Sequence, residues 1–227
     1  MPYFSLAGSY LKIPNPSRSG LILCLDTKGK TNLDTHKDVL LNMNKPTMAT
    51  NLANYMYSPE SGYTNFGVHF DGLDDYISGF IPTNLLEVSL EVVVKLTPSD
   101  KRQTIIQIGA PYKWLLHYYG GSLQIVEDAQ VLAAVSLSQE LLTEPVHIAV
   151  LLTKENCIIK LNNVAILNTQ LSIQNLGDTN DWLCIGSEFP NRAFMQGTLY
   201  SLRLYNKILT DQDIMTNYLI EKERWAL

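Results

Sequence analysis

VSLEVVVKL, residues 88–96, sets the fold class. Val88, Leu90, Val92, Val94 and Leu96 fall on one side of an extended chain and Ser89, Glu91 and Lys95 on the other. That is the pattern of a strand with one face on a core and the other wetter. A run of β-branched residues disfavours helix over the same positions. Glu91 is therefore expected on the outward, solvated side.

Strand signals continue on both sides of this stretch. Gln103 to Gly109 repeats the pattern more loosely, and Leu115 to Tyr119 and Ser122 to Glu127 flank Gly120 and Gly121, which supply the positive φ angles of a tight hairpin. Val146 to Thr153, Cys157 to Leu161 and Val164 to Leu167 read as a meander. It turns at Lys154 to Asn156 and at Asn162-Asn163, where Asn tolerates the left-handed conformation. Leu21 to Leu25, Leu183 to Gly186 and Thr198 to Tyr205 add further strands. Many short strands punctuated by turn residues imply an all-β, two-sheet antiparallel sandwich rather than βαβ units. One helix is expected near the end, as a lid on the sandwich. Thr210 can cap it, Asp211 and Asp213 suit the positive end of its dipole, and Ile214 with Tyr218 and Met215 with Leu219 form an apolar stripe. Met43 to Phe66 carries few strand signals and is expected to wrap as a long ordered loop. Residues 1–19, with Pro14, Pro16, Ser17 and Ser19, read as an amino-terminal arm, leaving 20–227 as the domain.

Composition bounds the function. A chain of 227 residues, 46% apolar, can bury one substantial core. A net charge of -5 with 17 Lys plus Arg and no basic run removes the electrostatic footprint of nucleic-acid binding. The amino terminus lacks the features of a signal peptide and no segment is long and apolar enough to span a bilayer, so folding in the cytoplasm without membrane insertion is expected. Cys24, Cys157 and Cys184 are odd in number and lie in apolar contexts, which suits reduced, buried thiols.

Four stretches carry a family resemblance: FDGLDDYI (70–77), the strand 88–96, PVHIAVLLTKENCIIKLNNVAIL (145–167) and GTLYSLRLYNKILTDQDI (197–214). From Leu21 onward the order of elements resembles the laminin-G-like, concanavalin-A-type jelly rolls of bacteriophage and prophage tail, fibre and other virion proteins. It is similar, more distantly, to pentraxins. Leu161 to Val164 sits at that family's usual Tyr/Trp-Val-Asn-Gly turn, with Asn163 where Gly is usual. The resemblance implies a non-enzymatic, virion-associated structural or adhesion protein that binds cell-surface carbohydrate through a lectin-like sandwich. Other virion proteins and further copies of the chain would be its partners, and the virion its location after folding in the host cytoplasm. A purely structural decoration, tail or fibre subunit with only protein partners is the alternative, and a glycoside hydrolase a remote one.

No cofactor is expected. Ile185, Gly186 and Glu188 match the strand that precedes the pentraxin calcium loop, but Phe189 and Pro190 stand where ligand oxygens belong, and calcium takes six to eight of them. Asp71, Asp74 and Asp75 are weak metal candidates. Their ordinary reading is an Asp71-Gly72 turn, with Asp71 accepting backbone hydrogen bonds and Asp74 and Asp75 solvated. No catalytic residues are assigned. Glu87, Ser89 and Glu91 superficially match a hydrolase strand but lack its central acid, no nucleophile elbow, HExxH or P-loop occurs, and His36, His69, His117 and His147 read as structural.

Sugars stack on aromatic rings, so Tyr112, Trp114, His117, Tyr118 and Tyr119 beside the Gly-Gly turn are ligand candidates. Trp182, preceded by Asp178, Asn180 and Asp181, is another. For any one of these aromatics a place in the core or an intersubunit contact is the favoured alternative, and Tyr55, Tyr57 and Tyr63 are equally ambiguous.

Overall fold

The computed structural model describes residues 16–45, 48–65, 67–109, 113–188 and 192–227. Residues 1–15 of the expected arm lie outside them; of its remainder, Ser17 donates its backbone N–H to Asn217 Oδ1 at 3.1 Å.

Among the described residues, sixteen strands and one α-helix follow in chain order: β1 (Leu21–Asp26), β2 (Val39–Leu41), β3 (Ala49–Ala53), β4 (Gly62–Tyr63), β5 (Val68–Asp71), β6 (Tyr76–Phe80), β7 (Val88–Leu96), β8 (Gln103–Ile108), β9 (Trp114–Tyr119), β10 (Ser122–Glu127), β11 (Gln130–Ser136), β12 (Val146–Leu152), β13 (Asn156–Leu161), β14 (Val164–Gln170), β15 (Trp182–Ile185), β16 (Gln196–Tyr205) and α1 (Asp211–Trp225). One sheet runs β14-β13-β12-β7-β16-β5-β4, with β1 also on β16; the other runs β11-β10-β9-β8-β15-β6-β3-β2. All pairings between named strands are antiparallel, and the jelly-roll sandwich expected from the sequence is the fold observed. Among the described residues no helix is long and apolar enough to cross a membrane.

The core lies between the sheets. Val88, Leu90, Val92, Val94 and Leu96 all enter it, as the alternation of β7 requires. The opposite face of β7 is a correction: Ser89, Glu91 and Val93 are also buried, because α1 lies across that side of the sheet. Ile214 packs with Leu21, Ala149, Leu151, Tyr205 and Leu209, and Trp225 packs with Val93 and Tyr200. Strand alternation reports which side of a sheet a residue faces, not whether a later element covers that side.

Thr210 and Asp213 form a reciprocal capping box at the start of α1. The buried face of the helix differs from the expected stripe. Ile214, Asn217, Ile220, Glu221 and Trp225 face the sheet, while Met215 and Leu219 are 40% and 51% exposed. Asn217 and Glu221 are buried because each finds polar partners on the sheet: Asn217 reaches Glu91 and Tyr205, and Glu221 reaches Ser201 and Arg203.

The 43–66 segment contains two short strands that its sequence did not announce, β3 between β2 and β6, and β4 on the edge beside β5. Both hairpin turns match their residues: Gly120 and Gly121 have φ of 58° and 75°, and Asn162 and Asn163 of 47° and 66°. Cys157 and Cys184 are buried free thiols and Cys24 is half-buried.

Candidate functional site

Register on β9 sorts the aromatic candidates. Gln103 pairs with Tyr118 and Ile108 with Trp114, so Trp114, Leu116 and Tyr118 point between the sheets, while Leu115, His117 and Tyr119 face outward. Trp114 is fully buried, with its indole N–H donated to Leu176 O at 2.8 Å, and Tyr118 is 1% exposed. Neither ring presents a surface to a saccharide. Tyr112 lies outside the described residues. Tyr119 is 48% exposed.

His117 shares the outward face but is covered. Its Nε2 lies 2.8 Å from Gln124 Oε1, and Thr104 is its cross-strand neighbour. Burial pushes its pKa down; the Gln124 hydrogen bond works against that, Arg102 lowers it further and Glu188 raises it. Trp182 faces the same way, half-buried and edge-on to Phe80 with ring centroids 5.2 Å apart. Beside it Lys113 Nζ pairs with Asp181 at 2.7 Å and with Asp178. Leu183, next to Trp182, is level with Ile108 and so with the start of β9, whereas Tyr119 ends that strand. Trp182 and Tyr119 therefore occupy opposite ends of one face and form no joint site.

Tyr119 instead lines an open cleft of about 570 Å³. Gly72 and Leu73 come from the β5–β6 turn, Asp100, Lys101 and Arg102 from the β7–β8 loop, and Ala193 and Phe194 from the segment before β16. Leu73 is 70% exposed and extends the apolar wall beside the tyrosine. Arg102 precedes Gln103, the partner of Tyr118, so antiparallel pairing sets Arg102 beside Tyr119 at the mouth of the cleft. Behind it Glu188, fully buried, lies with Oε2 3.0 Å from Arg102 Nη2 and Oε1 2.6 Å from Arg192 Nη2. The combination of an exposed ring, a neighbouring apolar side chain and convergent charged donors and acceptors suits a small polar ligand with an apolar face.

The acidic turn adjoins this cleft. Asp71 Oδ1 accepts from the N–H of Leu73 at 2.7 Å, as an Asx turn should. Asp75 is a correction: expected in solvent, it is fully buried, with Oδ1 taking the hydroxyl of Ser61 at 2.9 Å and Oδ2 the N–H of Asp71 at 2.9 Å. Burial pushes its pKa up to about 6, and Asp71 and Asp74 add to the effect against the two hydrogen bonds. Asp71, Asp74 and Asp75 bring one oxygen each within 4.8 Å of one another. Three oxygens are half of the smallest calcium shell, and those of Asp75 are already engaged. Phe189 and Pro190, beside the pentraxin-like match, lie outside the described residues.

The hydrolase-like trio does not share a groove. Glu87 is exposed; Ser89 Oγ donates to Lys207 O at 2.8 Å and accepts from Leu209 N at 2.8 Å; Glu91 is sealed beneath α1. Among the histidines, His36 is exposed, His69 Nδ1 lies 3.0 Å from Thr198 Oγ1, and His147 Nε2 lies 3.2 Å from Glu91. That acidic partner of His147 was not apparent in the sequence, since only the β7–β12 register brings the two together.

No family model matches the chain, and no curated protein matches it in sequence. Solved structures do match in fold. Trypanosoma rangeli sialidase in complex with sialic acid superposes with a TM-score of 0.66 at 14% identity, over 93% of this chain and 34% of that one. The botulinum neurotoxin serotype D ligand-binding domain in complex with N-acetylneuraminic acid gives 0.65 at 13% identity, over 89% and 51%. The botulinum neurotoxin serotype D/C VPI 5993 binding domain gives 0.64 at 13%, over 88% and 52%. The chain thus spans about a third of the sialidases and about half of the neurotoxin domains it matches. At these identities what is shared is the β-sandwich fold.

Proposed function

We propose that this chain is a non-enzymatic, carbohydrate-binding jelly roll that serves as an adhesion or structural subunit of a bacteriophage particle, with its glycan held in the cleft beside Tyr119. The observation that carries the reading is that cleft: an exposed tyrosine and leucine set next to Arg102, Lys101 and Asp100. A sugar ring offers an apolar CH face to the aromatic and hydroxyls to the charged groups. The laminin-G-like motifs support the virion setting, and a structural neighbour solved with N-acetylneuraminic acid supports the ligand class. The burial of Glu91 and Ser89 under α1 favours a binding role over hydrolysis at that strand.

A bacterial glycan array and a host cell-wall pulldown test the reading. Saturable binding by the wild-type protein that is lost in Tyr119→Ala is expected, and a well-folded protein that retains nothing would refute it.

A purely structural subunit is the second reading. It is favoured by Met215 and Leu219 on the outward face of α1, with Val164, 65% exposed, following the Asn163 whose amide meets Met215 Sδ at 3.4 Å. This patch fits a protein neighbour in a particle, and light scattering with Leu219→Glu would report it as loss of self-association.

A further inference from the structure

Glu188 has no exposed surface, yet it keeps company with two guanidinium groups whose side chains are themselves 36% and 52% exposed, Arg102 and Arg192. Burying a carboxylate is costly, and an exposed ion pair would close the same loop without that cost. The burial of Glu188 does accomplish one thing that an exposed pair would not: a carboxylate held in place inside the fold draws the Arg102 guanidinium toward it, with Nη2 3.0 Å from Oε2. A free arginine samples many rotamers, whereas one anchored at Nη2 keeps its planar fork aimed, with N–H groups left to donate. The direction of that fork follows from β8. Arg102 and Thr104 alternate on the same side of the strand, Thr104 opposes His117, and Tyr119 is two residues beyond His117 on that face. The guanidinium and the exposed phenol ring thus flank one opening, and Arg102 and Glu188 both lie close enough to His117 for their charges to act on it.

We propose that Arg102 is the residue by which the cleft reads its saccharide, donating from its guanidinium to two adjacent oxygens while Tyr119 takes the apolar face of the ring. Glu188 is a positioning residue that acts through Arg102. The inference rests on the glycan-binding function proposed above. The oxygen pair is either a sugar carboxylate or two vicinal hydroxyls, which present acceptors at similar spacing. Asp100 in the cleft, with Asp71 and Asp74 on the adjoining turn, offsets the charge of Lys101 and Arg102, so net charge alone does not select an anion and the geometry of the fork supplies the discrimination.

The test is titration of the full chain with N-acetylneuraminic acid, galacturonic acid, galactose and N-acetylglucosamine, at low and high salt, beside Arg102→Lys, Glu188→Gln, their double variant and Tyr119→Ala. Arg102→Lys keeps the charge and removes the fork, and it leaves Glu188 paired with Arg192. It is expected to weaken binding at least about tenfold. If Glu188 acts through Arg102, the Arg102→Lys effect shrinks to less than about threefold in the Glu188→Gln background, a coupling that a merely structural carboxylate would not produce. Should Glu188→Gln fail to fold, Arg102→Lys decides alone. Affinity for the two acidic sugars that falls with salt identifies the carboxylate, and salt-independent binding of the neutral sugars identifies the hydroxyl pair. Wild-type affinity in Arg102→Lys alongside loss in Tyr119→Ala overturns the role of Arg102 and leaves the cleft as a glycan site. Binding by no probe, or binding indifferent to Tyr119→Ala, overturns the glycan site itself and the inference with it.

Discussion

His147 Nε2 lies 3.2 Å from Glu91 Oε1, and both side chains are 1% exposed. The pair sits on the outer face of the first sheet, where α1 has closed over it. Asn217 of the helix donates its amide to Glu91 Oε2 at 2.5 Å and to the Tyr205 hydroxyl at 3.0 Å. The helix is therefore held to the sheet by directional polar bonds as well as by Ile214 and Trp225.

Replacing Asn217 by alanine leaves a buried carboxylate oxygen and a buried phenol oxygen each short of a donor. A loss of about 1–3 kcal/mol in unfolding free energy is expected. Urea denaturation measures it, with faster amide exchange confined to α1 as the accompanying sign; an unchanged midpoint would mean the amide contributes nothing net.

Glu221 is the second polar anchor. It pairs with Arg203, accepts from Ser201 Oγ at 3.1 Å and from Trp225 Nε1 at 2.5 Å, and is fully buried. Burial works against its charge, but Arg203 and then Arg224 hold its pKa below the usual range. Arg203→Met would strand that carboxylate and cost about 3–5 kcal/mol. Arg203→Met combined with Glu221→Met should recover most of the loss in a thermal melt, because the two partners of the pair are removed together and Glu91 keeps Asn217 and His147 beside it.

Asp75 gives a pH signature. Its folded pKa of about 6 lies above the ordinary carboxylate value of 3.8, so the folded protein binds the extra proton more tightly than the unfolded chain. Its contribution to stability is fully present below about pH 4 and is lost as pH rises to about 6, amounting to at most about 3 kcal/mol. His69 and His117, whose pKa values are lowered by burial, act in the opposite sense as pH falls through their ordinary range. The difference between wild-type and Asp75→Asn unfolding free energies, measured from pH 4 to 7, isolates the carboxyl; a flat difference would contradict its burial.

Gly197, the second residue of β16, has φ of 150°, and a Cβ there would come 2.1 Å from Lys95 O. Gly197→Ala must push two paired strands apart at the centre of the sheet. A loss of about 2–4 kcal/mol is expected from calorimetry, whereas Gly120→Ala, with nothing within 4 Å of its Cβ, should show only the strain of its positive φ.

The fold was legible where a residue's requirement is local. The core-facing set of β7, the Gly-Gly and Asn-Asn turns and the Thr210 cap each rest on a few adjacent side chains, and each appears as expected. What was hidden depends on chain far away in sequence. Glu91 reads as solvated until α1, more than a hundred residues later, covers it, and Asp75 until Ser61 reaches it. On β9 both alternating sets, Trp114-Leu116-Tyr118 and Leu115-His117-Tyr119, are apolar or aromatic enough to be the inner one. Only the register separates the core rings from the exposed one. Arg102 carried no signal at all: it lies in a charged loop, and its ion partner, Glu188, is 86 positions on.

β16 is flanked along one side by β7, while on its other side Gln196–Leu199 bonds to β5 and Ser201–Tyr205 to β1. A ribosome makes β1, β5 and β7 long before the strand that joins them. Until β16 emerges, three strands of the first sheet lack the neighbour that fills their edge, and open edges of this kind invite mispairing.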